Sequence, residues 1–540
     1  MRDYTCEVSR PCPAAPFLIA LLCVLALPAA TASPATDLFR AASGALSANY
    51  YGWSETDRPA LISRYAATLD AQCAPLADAC TFDQGRAVLR EMLLQLHDPH
   101  TNIRDAEGAE RLREIQDDLT VPRTGLRLVK TALGLLVVGV MPGSPAQVAG
   151  MQRFDLLTSV NGKTAVNGQI AVIMQTTATI QGNPVQGNPV QGNPVQGNPV
   201  QGNPVQGNPV QGNPVQGISG QADAPALADA PETVTAATPS AVDPAGFVRL
   251  ERRQLPIVVG ISRAGRSLAL TLPTAALRAR DVPILSWQPG AGGPVAVIEY
   301  PTFLPADSAE LFLKTLRQAQ AGGAAGLVID LRYNGGGRLD QCVQAASAFM
   351  PTFYQARWLP AGIPGTSQPA QNSQPAQNSQ AAQNSQAAQS GRPQTSWEYA
   401  ALNGQIASPA SVRKVLSAPP ASAPVPALWH GPVALLIGEN TASCAEVFGH
   451  FAHMAGGLLV GQPTKGVMNS GVNFFPLPDH GVMSVTMLRA YDLNGQALPG
   501  RLQPDVDVPA DLEALTARGQ DTALQVALGA VQSQLAAGNR

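Results

Sequence analysis

The chain has 540 residues, of which 14% are charged, with 35 Lys and Arg against 38 Asp and Glu. This length suggests about two to four domains. A formal net charge of -3, without a basic run or stripe, argues against an electrostatic nucleic-acid partner. The 47 Pro and 50 Gly concentrate in particular segments, which therefore differ in character from the folded parts of the chain.

The first 32 residues have the pattern of a secretory signal peptide. Arg2 and Arg10 precede an apolar core, and the segment ends in the small-residue pattern Ala30-Thr31-Ala32. This core is short for a bilayer span, and no later stretch is long and apolar enough to cross a membrane. We therefore expect cleavage after Ala32 and a mature chain that is exported, either periplasmic or secreted.

Four of the seven cysteines lie beyond this segment. Cys73 and Cys80 close a short loop, and in an oxidising compartment they are predicted to form a disulfide. Cys342 and Cys444 look like buried small apolar residues. None of the four has metal-ligand spacing, so no metal site is predicted.

The rest of the chain reads as three regions, which makes the expected fold class multidomain α/β. Residues 35–118 have apolar positions three and four apart, which predicts an N-terminal helical domain. Residues 122–280 contain short β-type runs and predict a β-rich domain. Residues 283–540 alternate short apolar runs with helical patterns, which is typical of an α/β domain.

Two low-complexity segments interrupt these domains. The first, over 181–244, begins with tandem QGNPV units, and the second, over 355–398, is rich in Gln, Asn, Ser and Ala. Neither has the apolar periodicity that a packed core needs. Both are interpreted as insertions without a function of their own.

A glycine-rich turn follows one buried strand of the α/β region. The run "GLVIDL" leads into Asn334 and then three glycines at 335–337, before a helical pattern. Glycines at such a turn let backbone amides point at an anion or an oxyanion. A tight turn that needs positive φ explains them equally well. Asp330 and Arg332, just before the turn, fit a structural ion pair.

Ser443 stands at the corresponding turn of a second strand. Strand "ALLIG", turn "ENTA" and helix "SCAEVFGHF" place it at or near a helix N-terminus. Taken alone, Ser443 followed three residues later by Glu446 is a capping box. The free amides and positive end of the helix dipole would equally suit a nucleophile. His97 and His100 in "LHDPHTNI" could act as general bases, or could belong to a turn built on Asp-Pro.

The order of these segments is more specific than any one of them. A helical region ending in "DPHTNI" is followed by "PGSPAQVAGMQRFDLLTSVNG", "VIDLRYNGGG", "NTASCAE", "GQPTKG" and "LQPDVDVP". This series resembles the C-terminal processing peptidases, also called tail-specific proteases, over essentially the whole mature chain apart from the two insertions. The resemblance implies a PDZ-like domain joined to a crotonase-like α/β peptidase domain. It also implies protein or peptide substrates recognised through their C-termini, and no metal or organic cofactor. The PDZ-like domain would bind the terminal carboxylate near Gly125, Leu126, Arg127 and Leu128.

The resemblance also assigns the groups that would perform catalysis. The nucleophile is Ser443, and a Lys whose pKa is lowered by burial would serve as its base. The oxyanion donors are the amide of Cys444 and that of Gly336 or Gly337.

The chain departs from the family pattern at the base. Lys465 could serve, with Asn469 standing where the family has a Gln, but the gap from Ser443 is 465 − 443 = 22 residues, three fewer than expected. His100 could serve instead, as in the tricorn-type branch, although the C-terminal Glu that this branch uses is not found. A third alternative is a catalytically inactive relative that binds peptide C-termini as a PDZ scaffold. The first two alternatives describe an exported serine-type endopeptidase that cleaves near C-termini, of undefined oligomeric state.

Overall fold

The computed structural model of the protein describes residues 33–165, 242–290, 292–358, 395–417 and 427–538. The predicted signal peptide and most of both predicted insertions lie outside these residues. None of the described helices is both long and apolar enough to span a bilayer.

Short elements dominate the structure. The helices, in chain order, are α1 Pro34–Asn49, α2 Arg58–Cys73, α3 Phe82–Gln95, α4 Ala106–Gln116, α5 Pro145–Val148, α6 Pro244–Arg252, α7 Ser308–Ala321, α8 Leu339–Ala346, α9 Pro409–Leu416, α10 Cys444–Met454, α11 Leu512–Ala517 and α12 Thr522–Gly538, with a 3₁₀ turn at Ala77–Ala79. The strands are β1 Asn102–Arg104, β2 Thr120–Arg123, β3 Leu126–Thr131, β4 Gly134–Val140, β5 Leu156–Val160, β6 Lys163–Thr164, β7 Ile257–Arg263, β8 Arg266–Leu272, β9 Ala275–Arg278, β10 Ile284–Gln288, β11 Val295–Glu299, β12 Gly326–Asp330, β13 Thr352–Trp358, β14 Thr395–Leu402, β15 Gln405–Ile406, β16 Val433–Ile437, β17 Leu458–Gly461, β18 Ser470–Pro476, β19 Val482–Tyr491 and β20 Val506–Asp507.

The N-terminal helices do not form a core of their own. A capping box between Thr81 and Gln84 starts α3, and a disulfide joins Cys73 to Cys80 just before it. The apolar faces of α1, α2 and α3 pack into one cluster that also contains β19 residues such as Met483. The region predicted as a separate helical domain is therefore buried against a sheet of the C-terminal part, since three short amphipathic helices must cover their apolar faces.

The β-rich unit is an antiparallel sheet in the order β3-β4-β5-β7-β8, with β6 beside β5. β3 is an edge strand of this sheet, and α6 packs against it. Phe247 of α6 lies in the same core as Leu157 of β5. Asp243 caps α6 by accepting the N–H of Gly246. The first insertion, predicted to end at 244, therefore ends before this cap.

A mostly parallel sheet in the order β10-β11-β12-β16-β17-β20 forms the centre of the C-terminal part, with only β10 antiparallel. Its strands are apolar on both faces because α7, α8 and α10 cover one face and α12 covers the other. β12 and β16 are neighbours, with Asp330 paired to Leu436. The turns that follow these two strands therefore emerge side by side at one edge of the sheet.

A second sheet, in the order β1-β19-β13-β14-β15 with β18 beside β19, joins distant parts of the chain. β1 pairs with β19 so that Asn102 lies opposite Ser484. β13 and β14 form a hairpin that reaches the pair Trp358 and Thr395. The second insertion, predicted over 355–398, is therefore shorter, because its first and last four residues are strand.

Ion pairs connect the β-rich unit to the parallel sheet. The Asp330 carboxylate accepts from Arg153 at 2.8 Å and from Arg332 at 2.7 Å, and Arg332 also binds Asp521 at 2.7 Å. Burial alone would raise the pKa of Asp330, but Arg153 and Arg332 hold it well below its usual value. Asp330 and Arg332 form the structural pair expected from the sequence, and they also fix the position of the β-rich unit.

Candidate active site

Ser443 occupies the N-cap position of α10 in a backbone conformation that is rare for a residue with a side chain. Its φ is 55° and its ψ is −120°. The Ser443 N–H donates to the buried carboxylate of Glu446 at 2.8 Å, which is one half of the capping box expected from the sequence. Such strain persists only where the surroundings impose it, and it clusters at active sites. The Ser443 side chain lines a cavity of about 1320 Å³.

The glycine-rich turn after β12 packs directly against the turn that carries Ser443. A methyl group on Gly336 would lie 2.8 Å from Ser443 Cβ and 2.9 Å from the Cys444 nitrogen, and the φ of Gly336 is 91°. Gly336 is thus required for the close approach of the two turns. The Asn334 backbone carbonyl accepts from Ala442 N–H at 3.0 Å, which joins the turns further.

Two backbone amides are available beside Ser443. The N–H of Gly336 donates to Asn334 Oδ1 at 2.9 Å. Of the two glycines predicted as alternative oxyanion donors, Gly336 is therefore unavailable. Within the described part of the chain, the N–H groups of Gly337 and Cys444 have no acceptor. Cys444 is the first residue of α10, where the helix leaves its N–H groups unpaired.

Glu446 links Ser443 to the loop that follows β17. Its fully buried carboxylate accepts from Thr464 Oγ1 at 2.5 Å, Gly466 N–H at 2.9 Å and Val467 N–H at 3.0 Å, as well as from Ser443 N–H. Burial raises the pKa of Glu446, and these hydrogen bonds oppose that increase. Glu446 therefore does more than cap a helix, because it holds this loop against Ser443.

The structure does not bring Lys465 and Asn469 to the cavity. The Lys465 side chain is exposed and is not part of the cavity wall, while its backbone N–H donates to Thr441 O at 3.0 Å. A lysine that acts as the base must lie within hydrogen-bond reach of the serine hydroxyl, and the Lys465 side chain instead faces solvent. The backbone carbonyl of Asn469 accepts from Trp53 Nε1 at 2.8 Å, and its side chain is also absent from the cavity wall.

His100 lies on the wall of the same cavity as Ser443. Its Nδ1 is 2.9 Å from Ser470 Oγ, and this hydroxyl can donate to Val467 O at 3.4 Å. A Ser470 that donates to Val467 must accept from Nδ1–H, so this network assigns the proton to Nδ1 and leaves Nε2 as an acceptor. No sequence signal pointed to Ser470, because its contact with His100 depends on β1 and β18 both pairing with β19.

Burial lowers the pKa of His100 to about 4. The Asp98 carboxylate acts in the opposite direction, whereas the positive charges of Arg104 and Lys465 lower the pKa further. His100 is consequently a neutral imidazole at physiological pH. His97, the other histidine of the motif, is exposed and does not line the cavity.

The cavity walls around Ser443 are largely apolar. Tyr354 of β13 and Tyr399 of β14 are paired residues whose ring centroids are 6.3 Å apart, and both line the cavity together with Val447 and Leu488. Aromatic and aliphatic walls of this kind suit an apolar side chain. Among the described residues, no group of three or more His, Cys, Asp or Glu could hold a metal ion.

The four residues predicted to bind a peptide carboxylate lie at the edge of the β-rich sheet. Gly125 has a φ of 93° and precedes β3. Leu126, Arg127 and Leu128 are the first residues of that strand, which pairs with β4 on one side only within the described chain. The Arg127 side chain is occupied by an ion pair with Glu299.

A serine at a helix N-terminus with available amides, which lines one cavity with a neutral imidazole, has the components of a serine hydrolase site. Residues 294–508 match the family model of peptidase family S41. The chain therefore carries a peptidase family S41 domain and is a serine peptidase, whose substrates are proteins or peptides. The resemblance to C-terminal processing peptidases is confirmed at the level of this family.

Solved structures of similar proteins include several peptidases. The photosystem II D1 C-terminal processing protease has 17% identity over 90% of this chain and 97% of its own, with a TM-score of 0.39. A putative S41 protease from Bacteroides fragilis has 14% identity over 84% of this chain and 90% of its own, with a TM-score of 0.42. Mature CPAF complexed with lactacystin has 12% identity over 93% of this chain and 99% of its own, with a TM-score of 0.44. A search of curated protein sequences gave no match.

Proposed function

We propose that the protein is a serine endopeptidase in which Ser443 attacks the substrate carbonyl and His100 removes its proton. The observation that carries this assignment is the shared cavity, where strained Ser443 and neutral His100 lie together. Lys465 is exposed and absent from the cavity wall, which favours His100 over the lysine alternative.

The first step forms an acyl-enzyme. As Ser443 Oγ adds to the carbonyl carbon, its proton passes to Nε2 of His100. The negative charge on the carbonyl oxygen is stabilised by the N–H groups of Cys444 and Gly337 and by the positive end of the α10 dipole. The imidazolium then donates its proton to the leaving amine, and a water molecule hydrolyses the ester by the same route.

Ser470 keeps His100 in the tautomer that this step needs. The hydroxyl is neutral, so it orients the ring without the charge stabilisation that a carboxylate partner would add. This arrangement is in keeping with a base whose pKa is about 4.

Substrate selection and location are part of the same proposal. The β-rich unit acts as a PDZ-like module that binds a substrate C-terminus as an added strand beside β3, and α6 provides the other wall of that groove. The signal-peptide pattern supports a location of the mature enzyme outside the cytoplasm, and the Cys73–Cys80 disulfide suits an oxidising compartment. N-terminal sequencing of the exported protein should begin at Ser33.

The test is hydrolysis of an unstructured protein by the purified mature chain. Ser443→Ala and His100→Ala should each lose nearly all activity, whereas Lys465→Met should retain it. Full activity of Ser443→Ala would disprove the nucleophile. Loss of activity in Lys465→Met with a fully active His100→Ala would transfer the base to the lysine. A wild-type chain that binds peptide C-termini without cleaving them would support the scaffold alternative.

A further inference from the structure

The wall of the cavity includes one face of strand β1. Side chains alternate along a strand, so Asn102 and Arg104 of β1 point to one side, and both line the cavity together with His100, which lies in the turn just before the strand. Ile103 points the other way, into the core shared with the N-terminal helices. His100, Asn102 and Arg104 therefore form a polar stretch of the cavity wall.

Arg104 has no counter-ion among the residues that the structure describes. Its guanidinium forms no ion pair and no hydrogen bond there, and its Nη1 atom is buried without a partner. The guanidinium does make a cation–π contact with Phe474, whose ring centroid lies 5.9 Å from the guanidinium carbon. A buried cation without a partner is costly, and the site gains when an anion enters.

Three acidic side chains lie on the cavity wall. Two are in ion pairs with other arginines, and the third, Asp117, is an exposed residue at the end of α4 that forms no ion pair with Arg104. Asp340 pairs with Arg338 at 3.2 Å, and Glu110 pairs with Arg252 at 2.6 Å. Burial alone lowers the pKa of Arg104, and no carboxylate among the described residues opposes this effect. Within the described part of the chain, the positive charge of Arg104 is thus unpaired and open to a carboxylate that enters the cavity.

We propose that Arg104 binds a carboxylate of the peptide substrate, and so selects substrates that carry a carboxylate at a fixed distance from the scissile bond. A planar guanidinium matches a carboxylate through two parallel hydrogen bonds. Arg104 lies four residues after His100, and four residues of chain span at most roughly 14 Å. An extended peptide lying alongside would therefore place its carboxylate within about four residues of the bond that is cut. The proposal rests on the proposed function, because it requires that peptides occupy this cavity.

Binding of that carboxylate also affects the base. The charge of Arg104 lowers the pKa of His100, and a carboxylate that pairs with Arg104 offsets this charge. The substrate with the carboxylate would then meet a stronger base than a neutral substrate does. Recognition and proton removal are coupled through this one residue.

The experiment uses quenched fluorescent peptides of a single neutral sequence with a blocked C-terminus. One Glu, or a matched Gln, is placed in turn at each position up to five residues on either side of the scissile bond. A second series keeps the sequence neutral and varies the distance to a free or amidated C-terminus. For the wild-type enzyme we expect Glu to exceed Gln in kcat/KM by about tenfold or more at one distance. The second series shows whether a terminal carboxylate serves as well as a side chain.

Arg104→Met should abolish this preference, Arg104→Lys should retain part of it, and Arg90→Met, an exposed arginine of α3, should leave it intact. Thermal unfolding of each variant shows whether it is folded. A wild-type enzyme without a preference at any distance, or an Arg104→Met enzyme that keeps it, would overturn the proposal. If no peptide is cleaved, the proposed function fails separately. Binding of the Glu and Gln peptides to Ser443→Ala, with and without Arg104→Met, then still decides the role of Arg104.

Discussion

The pH dependence of peptide hydrolysis should reflect the surroundings of His100. A general base must be neutral to accept a proton, so kcat/KM should follow the neutral fraction of the imidazole as the pH rises. With a pKa of about 4, about 97% of His100 is neutral at pH 5.5, whereas the ordinary histidine pKa of about 6.5 would leave about 9% neutral. We therefore expect nearly maximal activity at pH 5.5 and half-maximal activity near pH 4.

The assay is hydrolysis of a quenched peptide without titrating side chains, at a substrate concentration well below KM, between pH 3.5 and pH 8. Intrinsic fluorescence at each pH verifies that the chain is folded. Lys465→Met is the informative variant, because it removes a positive charge that lowers the pKa of His100. Its acid limb should move to higher pH while the plateau is retained. Arg90→Met, which removes an exposed charge on α3, should leave the limb in place.

Two results would refute this reasoning. An acid limb near pH 6.5 in the wild type would show that His100 is not in the desolvated environment that the structure describes. Activity that rises only above pH 7 and disappears in Lys465→Met would identify a lysine base instead.

Three further predictions concern the groups around the nucleophile. Ser470→Ala should lower kcat/KM about two- to twelvefold at unchanged KM, because one neutral hydrogen bond contributes about 0.5–1.5 kcal/mol, and Ser470→Thr should restore it. Glu446→Gln should lower folding stability by about 1–3 kcal/mol in denaturant unfolding, since its NH₂ group would face a buried N–H donor, whereas exposed Glu439→Gln should not. Gly336→Ala should abolish hydrolysis because its positive φ and close contacts leave no room for a methyl group, while Gly335→Ala, which meets open space, should stay within about twofold of wild type.

Part of the site could be predicted because its signals are local. A short apolar strand, a turn and a helix with Ser at its start are contiguous in the sequence, and this is sufficient to place Ser443 at a helix N-terminus. The run of glycines after β12 likewise predicted a turn of unusual conformation, and Gly336 and Gly337 both have positive φ. The sequence could not show which amide is available, because the bond from Gly336 to Asn334 Oδ1 depends on how that side chain folds back.

The base could not be predicted for a different reason. The sequence by itself determined the turn that carries Ser443, the glycine-rich turn and the chain order of the segments, since each depends on neighbouring residues and their periodicity. Only the tertiary structure decided which of the two candidate bases lines the cavity with Ser443. His100 reaches the cavity because β1, which follows it, pairs with β19, hundreds of residues later, and this pairing also directs Arg104 into the cavity. Ser470 meets His100 because its own strand, β18, pairs with the same β19. Lys465, close in sequence, remains exposed because Glu446 fixes the backbone of its loop and leaves its side chain toward solvent.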